Sequence, residues 1–387
     1  MSRLLAPFLL AAAAGAAAQE APNLAVEMPP AGRVPVAQAL REGVSFLVKH
    51  QNADGSWGSY TSGRDYEVMA SVPGSLMAFK AASSALCWMG LARAPRTPES
   101  EKAMERALGW LVKHVRVKRA NPTEMYNIWA LAYGLRALSL ALRTHAPGAP
   151  EDEVRREAEA LVRMLPRYQV PDGGWTYYDF DVGSMPPSDS SMSFTTATVL
   201  IALHEAREAG LQVPDDVIRK GVVSVRRCRK KDGSYLYGDY LKYVPRMGVN
   251  QPKGSSMRTP ACDLALHLNG GGVTLEDLGK GIENIGENQR FAIAGLRRPI
   301  PHESWYQVSG YFYLYGHMYA GMALERLALE EQRRLWPIVV RGILKAREPD
   351  GSFWDYPIYG FGKAYGTGYA LMALARCPEE IASGIRF

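Results

Sequence analysis

Tyr315 and His317 in YGHMYAGMAL, and Tyr365 in YGTGYALMAL, fall at matching places in two segments of the chain. A phenol, an imidazole and a guanidinium such as Arg258 can remove a proton, return it to a leaving oxygen and neutralise a carboxylate. His317, Tyr315, Tyr365 and Arg258 are therefore the candidate catalytic residues. Tyr126, Thr196, Thr259 and Thr367 recur at related places and offer a ligand an aromatic face and hydroxyls, and Lys363 adds a cation. Taken singly, the tyrosines read as core packing and His317 as a hydrogen-bonded core histidine. As a set, so many polar groups at one level of the fold need partners.

Metal chemistry has little footing. Cys262 and Asp263 are adjacent, so on a helix they point about 100° apart. No CxxC or HxxxH spacing ties them to His317. The reading is no metal and no cofactor. Asp179 and Asp181 read as a polar loop. Four cysteines permit Cys228 to pair with Cys262, and Cys87 with Cys377 if the chain's ends meet; four buried thiols are the alternative.

The chain has 387 residues, 47% hydrophobic and 22% charged, with a formal charge of +6. Basic residues are interspersed with acidic ones, without a run of five or six like charges, so no nucleic-acid partner is expected. Residues 1–18 carry Arg3, an apolar run and Ala16-Ala17-Ala18, the pattern of a secretory signal cut near Ala18. Cleavage removes one arginine and leaves +5 (44 minus 39). Residues 19–35, rich in Pro and Ala, read as a loose linker. No later stretch reads as long and apolar enough to span a bilayer. The expectation is an exported protein, periplasmic or extracellular, soluble or in peripheral contact with a membrane.

The elements that must position these residues come from a repeat. Residues 43–57, GVSFLVKHQNADGSW, are echoed by YQVPDGGW, CRKKDGSY and AREPDGSFW. Their aspartates, Asp54, Asp172, Asp232 and Asp350, are 118, 60 and 118 residues apart. As 118 is twice 59, the repeat is about 59 residues with two degenerate turns, near residues 113 and 291, and there are six copies. Each copy reads as a helical hairpin. Charged first helices are predicted at 36–51, 100–115, 153–168, 215–229, 275–288 and 331–347. Apolar second helices are predicted at 78–93, 125–143, 193–209, 259–268, 308–330 and 365–376. The fold class is all-α, and hairpins of this kind stack into an open solenoid or a closed ring.

The run Gly43-Val44-x-Phe46-Leu47 followed by Gln51-x-x-x-Gly55-x-Trp57 resembles the glutamine–tryptophan repeat of squalene–hopene and other triterpene cyclases. Related repeats occur in protein prenyltransferase β subunits. The likeness is partial at Gln169, Gly173 and Trp175 and weaker at Gly221 and Gly233 and at Gly342 and Gly351, and it spans about residues 36–378. It implies that residues 36–380 form a closed (α/α)6 toroid, with the second helices inside and their N-termini at one mouth, where helix dipoles favour anions. It does not imply the family's chemistry. Where the cyclases place a catalytic aspartate ahead of Thr-Ala, this chain has Met192, Ser193, Phe194 and Thr195 before Thr196-Ala197. Where the prenyltransferases place zinc ligands, it has Ser256, Arg258 and Gly366.

Two functions follow as expectations. One is a divergent toroid that holds a small apolar or isoprenoid-type molecule in its central cavity. The other is a glycan-active enzyme resembling the polysaccharide lyases built on α/α toroids, with the Tyr, His and Arg groups above as base, acid and neutraliser.

Overall fold

A computed structural model describes residues 29–61, 73–118, 126–177, 190–298 and 308–385. The expected signal segment, residues 179–181, and parts of 115–124 and 295–303, the polar stretches beside the two degenerate turns, lie outside the described residues.

Twelve helices pair into six hairpins: α1 (Val36–Lys49) with α2 (Pro73–Arg93), α3 (Pro98–His114) with α4 (Asn127–Thr144), α5 (Glu151–Met164) with α6 (Ser193–Glu208), α7 (Asp215–Cys228) with α8 (Thr259–Leu268), α9 (Leu275–Gly295) with α10 (Tyr313–Leu324), and α11 (Leu329–Lys345) with α12 (Gly362–Leu374). Among the described residues β pairing is limited to two isolated bridges beside turns, Arg229 with Tyr235 and Arg347 with Phe353. Thr97 and Thr274 start α3 and α9 with reciprocal capping hydrogen bonds. In α5 the apolar Val154, Ala158, Leu161 and Val162 are buried while most of the charged face is wet. Every residue of α10, by contrast, is buried. That difference sorts the helices into an outer and an inner layer.

The inner helices form a closed ring, in the order α2, α4, α6, α8, α10, α12 and back to α2. Each outer helix lies on the inner helix of the preceding hairpin, and α1 continues the pattern by lying on α12. The seam needs small residues. A Cβ at Gly90 of α2 would stand 2.9 Å from the Gly368 carbonyl oxygen of α12. Beside it the Cys87 thiol donates to the Ala364 carbonyl at 3.2 Å. All four cysteines are free.

The turns stitch neighbouring hairpins together. Gln51 donates to its own turn at the Gly55 carbonyl and to Ala103 of α3, both at 2.8 Å. Gln169 does the same to Gly173 at 2.7 Å and Val217 of α7 at 3.0 Å. Trp57 and Trp175 each donate their indole N–H to the carbonyl ten residues back, Leu47 and Leu165, at 2.8 Å. Gly351, at φ +85°, presses on the Glu42 carbonyl of α1, as Gly55 presses on Arg106 and Gly173 on Lys220. The sixth turn thus grips the first hairpin as the others grip their successors.

Four expectations are corrected. Helix α9 continues to Gly295, through the place near residue 291 where a turn was expected; no Asp-Gly pair interrupts it there. Helix α10 ends at Leu324 because the Arg326 and Leu327 amides fold back onto Ala323 and Leu324. Residues 29–35 are not loose, since Arg347 reaches both the Ala31 carbonyl and Glu42. By length and composition Gly74–Arg93 could also cross a bilayer, contrary to the sequence reading, but 72% of that window is buried inside the ring.

Candidate functional site

The inner helices start at one end of the ring, and a cavity of about 670 Å³ opens there. Its wall comes from the N-terminal parts of α2, α4, α6, α10 and α12 and from the connectors ahead of the inner helices. Tyr126 precedes α4, and Phe194, Tyr315 and Tyr365 lie in the first turns of α6, α10 and α12. Tyr177, Tyr237 and Tyr356, just after the stitched turns, form the upper wall. Ten tyrosines, three phenylalanines and one tryptophan are among the twenty-two described lining residues, and none of the twenty-two carries a charge. The rings interlock. Tyr126 stacks on Tyr177 at 5.2 Å, Trp129 lies 5.5 Å from Tyr177, and Phe194 meets Phe312 edge-on at 4.8 Å.

Of the residues singled out from sequence, Tyr126, Tyr315 and Tyr365 meet in this cavity. The other five do not line it. Helical geometry explains most of the split, because residues two apart point about 200° apart while residues four apart share a face. In α10, Tyr315 and Tyr319 face the axis, and His317 faces α11. His317 Nδ1 bonds the Tyr313 carbonyl at 2.7 Å. Its Nε2 packs against Gly342 without a hydrogen-bond partner. Burial pushes the imidazole down to about 4, so it is neutral.

Thr196 and Thr367 occupy the same outward position. Thr196 Oγ1 accepts the Trp175 amide at 2.9 Å, and Thr367 Oγ1 accepts the Phe353 amide at 3.0 Å. Ser84 does this for Trp57 at 2.9 Å. These hydroxyls tie the inner helix to the turn. Thr259 donates to the Ser255 carbonyl at 3.0 Å.

Arg258 is fully buried behind the wall. It donates to Gly254 at 2.7 Å and Val249 at 2.8 Å and lies 5.2 Å from the Tyr237 ring and 5.4 Å from Phe312. The carbonyls left open by a single helical turn, Pro252–Ser255, and the connector before it claim the guanidinium. Lys363 pairs with Asp350 at 2.6 Å, at the turn. Among the described residues the cavity lining is therefore uncharged and aromatic rather than cationic as expected. Among the described residues no group of three His, Cys, Asp or Glu is placed to hold a metal.

Sequence reasoning missed two features. Asp355 is fully buried; it accepts the Tyr365 hydroxyl at 2.8 Å and the Leu314 amide at 2.8 Å. Burial pushes its carboxyl up to about 7. Tyr365 thus joins the cavity to a protonatable acid. The second feature is the floor. Tyr369 donates to Tyr133 at 2.6 Å, and Tyr315 donates to the Phe194 carbonyl at 3.0 Å. Below them Arg136 of α4 donates to Tyr319 of α10 at 3.1 Å and forms a two-pronged pair with Glu205 of α6 at 2.8 and 3.0 Å. Burial pushes the Glu205 carboxyl up, but Arg136 outweighs this and holds it below its ordinary value. Burial raises the hydroxyls of Tyr133, Tyr315 and Tyr369 well above the usual range, so all three stay protonated. The i+4 spacing from Tyr315 and Tyr365 was the available pointer to Tyr319 and Tyr369.

No protein-family model matches the chain, and no curated protein does. Solved structures do. An unsaturated glucuronyl hydrolase from Bacillus sp. GL1, described as responsible for degradation of glycosaminoglycan, aligns at TM-score 0.55 with 11% identity, over 90% of this chain and 98% of that one. A D-mannose isomerase aligns at 0.51 with 12% identity, over 88% and 96%. A type II terpene cyclase from Scytonema, in complex with geranylgeranyl dihydroxybenzoate, aligns at 0.49 with 12% identity, over 88% and 97%, an overlap too loose to argue from. At such identities the likeness is one of fold, the α/α toroid.

Proposed function

We propose that this protein holds an apolar or isoprenoid-type molecule in its central cavity. One observation carries the reading: a cavity of about 670 Å³ whose fourteen described aromatic residues come with no charged neighbour among the described lining residues. That volume suits a small organic ligand. A wall without ions favours burial of hydrocarbon over a charged or heavily hydroxylated molecule. The test is organic extraction of the purified full-length protein followed by mass spectrometry, with isoprenoid alcohols and hydrocarbons offered to stripped protein. A co-purifying apolar compound is expected. Protein that is empty as isolated and binds none of them ends the reading.

One observation favours a second reading, a glycan-active enzyme. Tyr365 with Asp355 behind it is a cavity-facing acid–base pair, and aromatic faces stack on sugar rings. Among the described residues nothing on the wall would neutralise a uronate carboxylate, so we rank it second. Incubation with uronate polymers should then produce the absorbance of unsaturated ends, and Tyr365→Phe should abolish it. No absorbance from intact protein rejects it.

We also propose export, with cleavage near Ala18, and peripheral contact between the mouth and an anionic lipid surface. Tyr243 and Val244, 85% and 49% exposed, stand beside Lys242 and Arg246 in the connector that lends Tyr240 and Met247 to the wall. N-terminal sequencing of the mature protein tests the first. Flotation with phosphatidylglycerol vesicles, lost in Tyr243→Ser/Val244→Ser, tests the second; no flotation of the native protein rejects it.

A further inference from the structure

We infer that the ligand is an apolar molecule with a terminal hydroxyl, held hydroxyl-down with its O–H donating to Tyr369 Oη. This rests on the apolar-ligand reading and adds which end of the molecule goes to the floor.

The upper wall offers rings and aliphatic groups, while the hydroxyls of Tyr369, Tyr133 and Tyr315 gather at the floor. Tyr369 lies four residues beyond Tyr365 on α12, so it sits about 6 Å deeper along the axis. Tyr369 donates to Tyr133 at 2.6 Å, so its proton is committed to Tyr133 rather than to the cavity. Below this pair Tyr319 donates to Thr198 at 3.4 Å, and Thr198 donates to the Phe194 carbonyl at 3.0 Å.

Tyr369 lines the cavity, and among the described residues no donor reaches its hydroxyl oxygen. Giving its proton to Tyr133 enriches that oxygen and makes it a better acceptor. An alcohol supplies the missing proton. An aldehyde, a ketone or a hydrocarbon cannot, and each would leave a desolvated acceptor facing another acceptor or nothing. The floor therefore discriminates by donor capacity rather than by polarity alone.

The test is displacement of N-phenyl-1-naphthylamine from the full-length protein by geranylgeraniol, geranylgeranial and the corresponding C20 hydrocarbon. For the native protein the alcohol should displace the probe at roughly threefold to tenfold lower concentration than the other two, as expected for one hydrogen bond. In Tyr369→Phe the ratio of alcohol to hydrocarbon affinity should fall to about one. Tyr133→Phe removes the acceptor of the Tyr369 proton and should lower the ratio in part, which serves if Tyr369→Phe does not fold. Equal displacement by all three ligands in the native protein overturns the inference while leaving the apolar cavity standing. An alcohol preference that survives Tyr369→Phe also overturns it. Failure of all three to displace the probe removes the cavity reading itself.

Discussion

Arg136 of the second hairpin donates to the Tyr319 hydroxyl of the fifth at 3.1 Å. In a ring of six those hairpins face each other, so this bond spans the full width of the barrel and makes the cavity blind. Glu205 holds the guanidinium from the third hairpin.

The plug predicts a large and asymmetric cost. Glu205→Gln strands a buried guanidinium and should lower stability by about 3–5 kcal/mol in urea melts. Replacing both partners with leucine should cost far less. A loss under about 1 kcal/mol for Glu205→Gln would mean that the pair does not hold the far end together.

His317 predicts a steric coupling. A Cβ on Gly342 would collide with its Nε2, so Gly342→Ala should destabilise by about 1–3 kcal/mol. His317→Ala in the same chain should recover most of that, a coupling read from a double-mutant cycle. Additive losses would place the imidazole elsewhere, and loss of ligand binding in a folded His317→Ala protein would return it to the site.

Thr196→Val and Thr367→Val each leave a buried turn amide without an acceptor, Trp175 in one case and Phe353 in the other. Each should cost about 1–3 kcal/mol and leave the relative affinities for cavity ligands as they were. A change in ligand preference without a stability loss would contradict the structural role of these hydroxyls.

Two buried carboxyls predict a pH dependence. Asp355 and Asp263 are both pushed up to about 7, chiefly by burial. The folded state keeps these protons where the unfolded chain has released them. Their contribution is therefore complete below pH 3.8 and lost as pH rises to about 7. His317, held down to about 4, works the opposite way, losing stability as pH falls from 6.5 towards 4. Burial also holds His204 below its ordinary value, so thermal melts of a chain carrying both His317→Ala and His204→Ala between pH 4.5 and 8 isolate the carboxyls, and the melting temperature should fall with rising pH. A flat profile would show that neither acid is held protonated.

Much of the architecture was legible because a turn is a local event. Asp54, Asp172, Asp232 and Asp350 each cap the amide two residues on, so their spacing counts the hairpins directly. Closure needed more than counting, since the Gly90–Gly368 approach joins residues that no local pattern links. The site was half legible. Position one of the repeated window, at Tyr126, Tyr315 and Tyr365, does face the cavity. The place two residues on, at Thr196, His317 and Thr367, recurs just as regularly because it faces the outer layer, where Thr196 and Thr367 catch the turn and His317 packs on Gly342. Periodicity marks both faces of an inner helix alike, and only the packed ring tells the axis from the outer layer. Arg258 was misread for a related reason: a charge near the mouth in sequence is drawn behind it by open carbonyls. Asp355 belongs to a connector, where no repeat marks it.

The seam is made as the other five joints are made, yet the Cys87–Ala364 contact across it joins residues 277 positions apart. Such a contact must wait until nearly the whole chain is in place. Successive hairpins can assemble in order, but the cavity, and with it the binding proposed above, exists only once the last has met the first. Ligand affinity should therefore emerge late in refolding, after most helix has formed, and local damage at the joint should abolish it outright rather than by degrees.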